Sequence, residues 1–296
     1  MARHCLPRNN HIVLHEGTVE LLDGGSAAWC EWGDPDGRPV VFLHGTPGSR
    51  LFWPGAKQHL ERARVLTLDR PGYGRSTPLA IPTLAAVAGM VAAIADKCGL
   101  DRFPVVGFSG GGPFALACGA FLPERVSRVA MVSSWGPLDE LEAAMASLTP
   151  TERELVSTIR ADPAGATALL WESGAWYAES PLRFFETRHE AADKPILRDS
   201  TVRSNFSASN LEGARQGQAG LVADWIADAL PWGFRLGDLS VPVDLWIGER
   251  DPGRAPVDVH ELRRRIRSAA VHADGEAGHW LIIPRWAEIV AQSLSR

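Results

Sequence analysis

Short apolar runs alternate with longer amphipathic stretches along the first half of the chain and again towards its end. Apolar runs bounded by turn residues predict β-strands, and amphipathic or alanine-rich stretches predict helices. The predicted strands cover residues 18–22, 28–32, 39–44, 64–68, 105–106, 126–133, 241–248 and 269–273, and the predicted helices cover residues 52–61, 83–98, 112–117, 213–230, 256–268 and 284–294. This alternation indicates an α/β fold, with a mostly parallel, twisted sheet of eight strands and helices on both faces.

The alternation breaks between residues 137 and 210. This segment has no clear strand pattern, is rich in helix-forming residues and is punctuated by four prolines, Pro150, Pro163, Pro181 and Pro195. We interpret it as a helical cap inserted into a core that residues 1–136 and 211–296 form. Substrate choice would then depend on contacts that the cap makes.

Composition narrows the classes of function. The 296 residues are 45% hydrophobic and 22% charged, which is ordinary for a globular protein with a sizeable core. The formal net charge of −5 argues against a nucleic-acid partner, which would usually need a basic face. We interpret the basic run Arg263-Arg264-Arg265 as the solvated face of a helix.

The sequence shows no pattern typical of a membrane span, a signal peptide or a metal site. No run approaches the roughly 18 apolar residues of a membrane span, and histidine and asparagine interrupt the apolar run of the first 17 residues, so we expect no signal peptide. The four cysteines (Cys5, Cys30, Cys98 and Cys118) are scattered, without the spacing of a zinc site or a disulfide framework. We expect a cytoplasmic protein that acts on a small molecule without a metal or organic cofactor, and a homodimer is compatible with the sequence.

One stretch combines strand, turn and helix signals. An apolar strand ends in Gly-x-Ser-x-Gly at residues 107–111, and small apolar residues predict a helix directly afterwards. This context is the sequence form of a nucleophile elbow, a sharp turn that presents a serine. The glycines at both ends of the motif allow the chain to fold back tightly. Ser109 is therefore the candidate nucleophile.

A serine hydroxyl needs a base that accepts its proton, and histidine is the usual partner. His279 lies in a loop after the last predicted strand, where functional residues are common. Asp251 follows the strand at 241–248, at the carboxyl end where parallel sheets place their sites. It is the candidate acid that orients the histidine, and Glu249 remains the alternative.

Four aromatic residues adjoin these positions. Phe108 and Trp280 flank the candidate nucleophile and base, Trp53 follows a glycine-rich loop after the third predicted strand, and Trp135 ends the strand that leads into the cap. Each could line an apolar substrate pocket. Each could equally pack in the core.

Five motifs together resemble the α/β-hydrolase fold superfamily over nearly the whole chain. They are Leu43-His44-Gly45-Thr46-Pro47-Gly48, Asp69-Arg70-Pro71-Gly72-Tyr73-Gly74-Arg75-Ser76, Gly107-Phe108-Ser109-Gly110-Gly111, Gly248-Glu249-Arg250-Asp251 and Gly278-His279. The order nucleophile, acid, histidine also matches that fold. The resemblance implies an oxyanion hole made by the backbone N–H groups of Thr46 and Gly110.

Departures from known branches refine the expected chemistry. His-Gly-x-Pro resembles the epoxide hydrolase and haloalkane dehalogenase branch, whose nucleophile is an aspartate, whereas this chain carries Ser109. That difference favours acyl chemistry. Proline iminopeptidases have a similar plan but typically His-Gly-Gly-Pro-Gly, where this chain has Thr46, and that activity stays open as a form of amide cleavage.

We therefore expect a carboxylesterase-like serine hydrolase that cleaves an ester, thioester or amide of a small, largely apolar substrate through an acyl-enzyme. Two alternatives stay open. The same three residues could serve a C–C bond hydrolase, lyase or cyclase, or the fold could serve a ligand-binding receptor with little turnover, because a fold does not determine its function.

Overall fold

Eight strands form one sheet in a computed structural model that describes residues 13–22, 24–55, 63–182, 191–253 and 255–295. The strands are Val13–Glu20 (β1), Ser26–Gly33 (β2), Arg38–Leu43 (β3), Ala63–Leu68 (β4), Phe103–Phe108 (β5), Val126–Val132 (β6), Val243–Gly248 (β7) and Ala269–Asp274 (β8). Their order in the sheet is β1-β2-β4-β3-β5-β6-β7-β8. β2 runs antiparallel to β1 and β4, and the other neighbours are parallel. The predicted α/β fold is confirmed.

The described residues form eleven α-helices. They are Leu84–Lys97 (α1), Gly112–Phe121 (α2), Glu142–Ser147 (α3), Pro150–Ala161 (α4), Pro163–Ser173 (α5), Ala175–Glu179 (α6), Lys194–Arg198 (α7), Ser200–Gly213 (α8), Ala219–Ala229 (α9), Ala255–Arg265 (α10) and Ile282–Ser293 (α11). Helix α1 begins after Thr83, whose hydroxyl accepts the N–H of Ala86 at 3.2 Å, a common N-cap. None of the helices in the described ranges is long and apolar enough to cross a bilayer.

Apolar clusters cover both faces of the sheet. Val41 and Leu43 of β3 belong to a cluster with α1 and α2, whereas Val40 and Phe42 belong to a second cluster with α11. Alternate residues of a strand point to opposite faces. The apolar run of β3 is therefore buried on both faces of the sheet. Its last residues lie at the carboxyl edge, where the loop with Thr46 begins.

Between β6 and β7 the described chain is helical, from α3 to α9. Helix α8 of this segment bonds to the loop after β3: the Ser209 hydroxyl accepts the N–H of Ser49 at 2.9 Å, and Asn205 Oδ1 accepts the N–H of Trp53 at 3.1 Å. The helical character agrees with the predicted segment at 137–210. Its separation from the core as a cap stays a prediction.

Two predicted helices differ from the structure. The helix expected at 213–230 is split, because the chain turns at Gly217, whose φ of +66° suits glycine, before α9 begins. The helix expected at 52–61 is not found at residues 52–55, where Pro54 disfavours helical backbone in the residue before it. Its remainder, 56–61, lies outside the described residues.

Candidate active site

Ser109 lies at the turn between β5 and α2. Its φ is +51°, in the left-handed region that non-glycine residues rarely occupy. The turn continues as a short 3₁₀ helix, Ser109–Gly111, before α2 begins. Such strained backbone is concentrated at functional sites. The strand, turn and helix predicted around the serine are all present.

The glycines of this turn are needed for space. A Cβ atom at Gly107 would collide with the carbonyl oxygen of Gly111, and one at Gly111 would collide with that of Leu43. Any larger residue would therefore push β5, α2 and the end of β3 apart. The close approach brings the serine next to the loop that follows β3.

Ser109, His279 and Asp251 form a hydrogen-bonded chain. His279 Nε2 lies 3.0 Å from Ser109 Oγ, and His279 Nδ1 lies 2.8 Å from Asp251 Oδ2. The Asp251 side chain is 1% exposed, and its other oxygen accepts the N–H of Gly253 at 2.8 Å. With Nδ1–H donating to the carboxylate, Nε2 carries a lone pair that can accept the serine proton.

The rival carboxylates lie elsewhere. Glu249, the alternative acid, is exposed to solvent. Asp244 is buried in β7 and pairs with Arg128, while Asp258 accepts the N–H of Gly136 at 3.1 Å. The hydrogen bond to the His279 ring belongs to Asp251.

Thr46 and Gly110, the predicted oxyanion-hole residues, lie against each other. A Cβ atom at Gly110 would be 3.2 Å from the backbone nitrogen of Thr46 and would overlap its hydroxyl. Glycine at this position therefore allows the two backbone segments to approach. Their N–H groups remain the proposed oxyanion donors.

A buried ion pair between Arg70 and Asp224 holds the loop that carries Thr46. Thr46 Oγ1 donates to Asp224 Oδ2 at 2.5 Å, and Arg70 donates to both oxygens of Asp224 at 3.0 and 2.5 Å. Arg70 also donates to the carbonyls of His44 and Gly45. The guanidinium is fully buried. This network ties the loop after β3 to helix α9.

His44, at the start of this loop, is buried and neutral. Its Nδ1–H donates to the carbonyl of Gly45 at 2.7 Å. Burial lowers the pKa of His44 well below its usual value, and the nearby positive charge of Arg70 acts in the same direction. The ring therefore contributes no charge to the site near neutral pH.

Two cavities meet at Ser109. The small cavity is lined by the rings of Phe52, Phe108, Phe206 and Trp280, and the wide cavity by residues that include Trp135, Trp176, Trp225 and Leu221. Five residues line both cavities: Thr46, Pro47, Ser109, His279 and Trp280. Phe108, Trp135 and Trp280, three of the predicted pocket residues, thus border these spaces.

Trp53, the fourth predicted pocket residue, packs in the core. Its ring stacks on Trp32 at a centroid distance of 6.1 Å and meets Trp286 edge-on at 5.3 Å. It does not line either of the two cavities. The structure therefore favours core packing over a pocket position for Trp53, because its ring contacts β2 and α11.

Comparison with known proteins settles the family. A family model described as the alpha/beta hydrolase fold matches residues 38–285. The chain is an α/β hydrolase. Among the described residues of this α/β hydrolase, no group of three or more histidine, cysteine, aspartate or glutamate side chains could hold a metal ion.

Relatives of this α/β hydrolase carry several different names. It is 26% identical to a Bacillus subtilis protein provisionally named 2-succinyl-6-hydroxy-2,4-cyclohexadiene-1-carboxylate synthase, over 94% of this chain and 99% of that one. It is 33% identical to a Neisseria meningitidis proline iminopeptidase, over only 38% of each chain. A solved structure of a Pseudomonas aeruginosa hydrolase superposes with a TM-score of 0.73 at 17% identity, covering 96% of this chain and 99% of that one.

Asp193 is a site residue that no sequence motif indicated. Its Oδ2 accepts the N–H of His279 at 3.1 Å, and its Oδ1 accepts the N–H of Trp280 at 3.0 Å. The side chain sits so close to Gly278 that a Cβ atom there would lie 2.5 Å from Oδ1. Asp224 was missed in the same way. Neither residue belongs to a local pattern, since each contacts the site only through the tertiary fold.

Proposed function

We propose that this α/β hydrolase is a serine hydrolase that cleaves an ester, thioester or amide through an acyl-enzyme on Ser109. The proposal rests on one observation above all. The Ser109 hydroxyl, both nitrogens of His279 and the Asp251 carboxylate form a continuous hydrogen-bonded chain of 3.0 and 2.8 Å. That arrangement couples a nucleophile to a base and the base to an orienting acid.

In acylation, Ser109 Oγ forms a bond to the substrate carbonyl carbon and its proton passes to His279 Nε2. The carbonyl π electrons move to oxygen, where the N–H groups of Thr46 and Gly110 would stabilise the charge. The imidazolium keeps its Nδ1–H on Asp251, which offsets the positive charge. Collapse of the intermediate breaks the bond to the leaving group, which takes the proton from Nε2.

Deacylation repeats the sequence with water. A water molecule gives a proton to His279 Nε2 as its oxygen bonds to the acyl carbon. The second tetrahedral intermediate then releases Ser109, whose Oγ recovers that proton from Nε2. Each half-reaction uses the same base and the same oxyanion donors, so no group beyond these residues is required by the atom balance.

Apolar surroundings support a largely apolar substrate. Phe108 and Trp280, which line the small cavity beside the nucleophile, are 4% and 5% exposed, and Trp135 and Trp225 border the wide cavity. Aromatic side chains in the walls of both cavities favour an apolar ligand.

A panel of short p-nitrophenyl and alkyl esters tests the proposal. Wild type should hydrolyse at least one ester of the panel, and Ser109→Ala should lose that activity while it keeps the wild-type melting temperature. Ser134→Ala, at a buried serine two residues after β6, is the matched control and should keep the activity. Full turnover by Ser109→Ala would contradict the proposal.

A lyase that uses the same three residues is the second candidate. It is favoured by the alignment with the synthase-named Bacillus subtilis relative, which spans nearly the whole of both chains. The two reactions differ in whether an oxygen atom of water enters the product. A hydrolase incorporates one oxygen from ¹⁸O-labelled water into the released acid, whereas elimination incorporates none, so product mass distinguishes the two.

A further inference from the structure

The two cavities that meet at Ser109 differ greatly in size. The small cavity has a volume of about 20 Å³, and the wide cavity has a volume of about 810 Å³. Around 10–15 Å³ of such space accommodates one water molecule, so the small cavity has room for a group of only about one to three heavy atoms. The wide cavity accommodates a group of drug-like size.

The walls of the small cavity are closely packed rings. The Phe206 and Trp280 centroids are 4.9 Å apart, those of Phe108 and Trp280 are 5.6 Å apart, and those of Phe52 and Phe108 are 5.8 Å apart. All four rings are at most 6% exposed. Interiors of this density respond to added volume by strain rather than by smooth expansion.

The backbone behind these rings is also fixed. Asn205, next to Phe206 on α8, accepts the N–H of Trp53 at 3.1 Å and donates to the carbonyl of Leu51 at 3.2 Å. One helical turn on, Ser209 bonds to Ser49. These contacts clamp α8 to the loop that carries Phe52. The small cavity therefore cannot widen by a simple shift of α8 away from this loop.

We infer that the substrate has one small and one bulky side at its scissile carbonyl. The small side, no larger than about an ethyl group, occupies the cavity lined by Phe52, Phe108 and Phe206. The bulky side occupies the wide cavity beside Trp135 and Trp225. This inference rests on the proposed function, because it needs a carbonyl carbon bound to Ser109.

The same geometry excludes a class of substrate. A carbonyl carbon at Ser109 has two substituents, and the oxyanion donors fix the direction of its oxygen. When one substituent fills the wide cavity, the other must enter the small one. An ester with bulky groups on both the acyl and the alcohol side would force the ring cluster apart, and we expect it to react poorly.

Three esters that share one aromatic group test this inference. They are 2-naphthylmethyl acetate, methyl 2-naphthylacetate and 2-naphthylmethyl 2-naphthylacetate, which are bulky on the alcohol side, on the acyl side and on both sides. The better of the two single-sided esters should exceed the double-sided one by about 100-fold in kcat/KM. Phe206→Ala, which enlarges the small cavity, should raise the relative kcat/KM of the double-sided ester by about tenfold or more.

Ile289→Ala is the matched control, because it removes a buried side chain of the same apolar cluster as Phe206 that lines neither cavity. It should leave the preference among the three esters unchanged. Each ratio compares substrates on the same protein sample, so partial unfolding of a variant does not alter it. Wild-type turnover of the double-sided ester within tenfold of the best single-sided one would overturn the inference.

A second measurement does not depend on turnover. Difluoro ketones form a hemiketal: Oγ bonds to the carbonyl carbon, the π electrons move to oxygen, and the serine proton passes to His279 Nε2. A naphthylmethyl difluoromethyl ketone, whose small side has three heavy atoms, should slow fluorophosphonate labelling of Ser109 at a concentration about 100-fold lower than the difluoro ketone with naphthyl groups on both sides. Equal potency would contradict the inference. No labelling of Ser109 at all would instead contradict the proposed function.

Discussion

The carboxylate of Asp193 accepts the backbone N–H of His279, a residue 86 positions further along the chain. Its second oxygen accepts the N–H of Trp280, so both oxygens hold the loop that presents the histidine. Asp193 is 2% exposed and comes from the segment that we predict to be a cap. This contact links the helical segment directly to the backbone of the proposed base.

Replacing Asp193 should therefore impair catalysis more than binding. In Asp193→Asn, one carboxylate oxygen becomes an NH₂ group that faces a backbone N–H, leaving a buried donor unpaired at a cost of about 1–3 kcal/mol. We expect kcat to fall about tenfold or more, with a smaller change in KM. Asp199→Asn, at the exposed N-terminus of α8, is the control and should keep the wild-type kcat. An Asp193→Asn enzyme with unchanged kcat would show that the contact does not position the histidine.

The acid assignment can be tested with a matched pair. Asp251→Asn removes the charge that faces His279 Nδ1 and should lower kcat by a factor of about 10³–10⁴, as in known serine triads. Glu249→Gln changes an exposed side chain two residues away and should change kcat less than twofold. Steady-state kinetics on both variants measures the difference. The reverse result would assign the acid to Glu249.

Breaking the buried pair of Arg70 and Asp224 should destabilise the protein strongly. Asp224→Ala leaves a fully buried guanidinium without its carboxylate, which costs about 3–5 kcal/mol. Asp96→Ala is the control, since it removes an ion pair with Arg125 in which the Asp96 side chain is 67% exposed. That pair should contribute less than about 1 kcal/mol. Urea unfolding of the two variants measures both values, and similar losses would show that burial of the first pair has no special importance.

Stability should also fall in mild acid because of His44. Its folded-state pKa lies well below that of the unfolded chain, about 6.5, so as the pH drops below that value the unfolded chain binds a proton that folded His44 does not. Its contribution is fully present above pH 6.5 and decreases below it, by up to about 1.4 kcal/mol per pH unit.

Unfolding free energies measured between pH 8 and pH 5 test this dependence. His44→Asn keeps an N–H that can donate to Gly45 but cannot titrate, so its stability should fall less steeply than that of wild type below pH 6.5. His260→Asn changes an exposed histidine and should keep the wild-type slope. A wild-type slope in His44→Asn would attribute the acid sensitivity to other groups.

Much of the site could be predicted because its residues lie in local patterns. A strand followed by Gly-x-Ser-x-Gly predicts the turn at Ser109. Their positions after predicted strands indicated Asp251 and His279, which the structure brings within hydrogen-bond distance. Residues that act across the fold carry no such pattern. Asp193 and Asp224 reach their partners over 86 and 178 positions, which no spacing rule describes.

For aromatic residues, the sequence also does not distinguish a pocket position from a core position. Phe108 and Trp53 are both apolar and both follow motif residues, so the sequence favours a pocket and a core position equally. Only their packing in the fold distinguishes the two residues. The centroid of the Phe108 ring lies 5.3 Å from that of His279, whereas the Trp53 ring stacks on Trp32. The break in the helix predicted at 213–230 likewise depends on the φ angle of Gly217. The residues around this glycine have a helix-like composition, so the sequence does not indicate the break.

Mass spectrometry of the protein after reaction with a fluorophosphonate probe tests the central claim most directly. Phosphorus forms a bond to Ser109 Oγ, fluoride leaves, and the serine proton passes to His279 Nε2. We expect one adduct per chain, located on Ser109 by peptide mapping, and none in Ser109→Ala of wild-type stability. An unlabelled wild-type protein, or an adduct on another serine that persists in Ser109→Ala, would contradict the account.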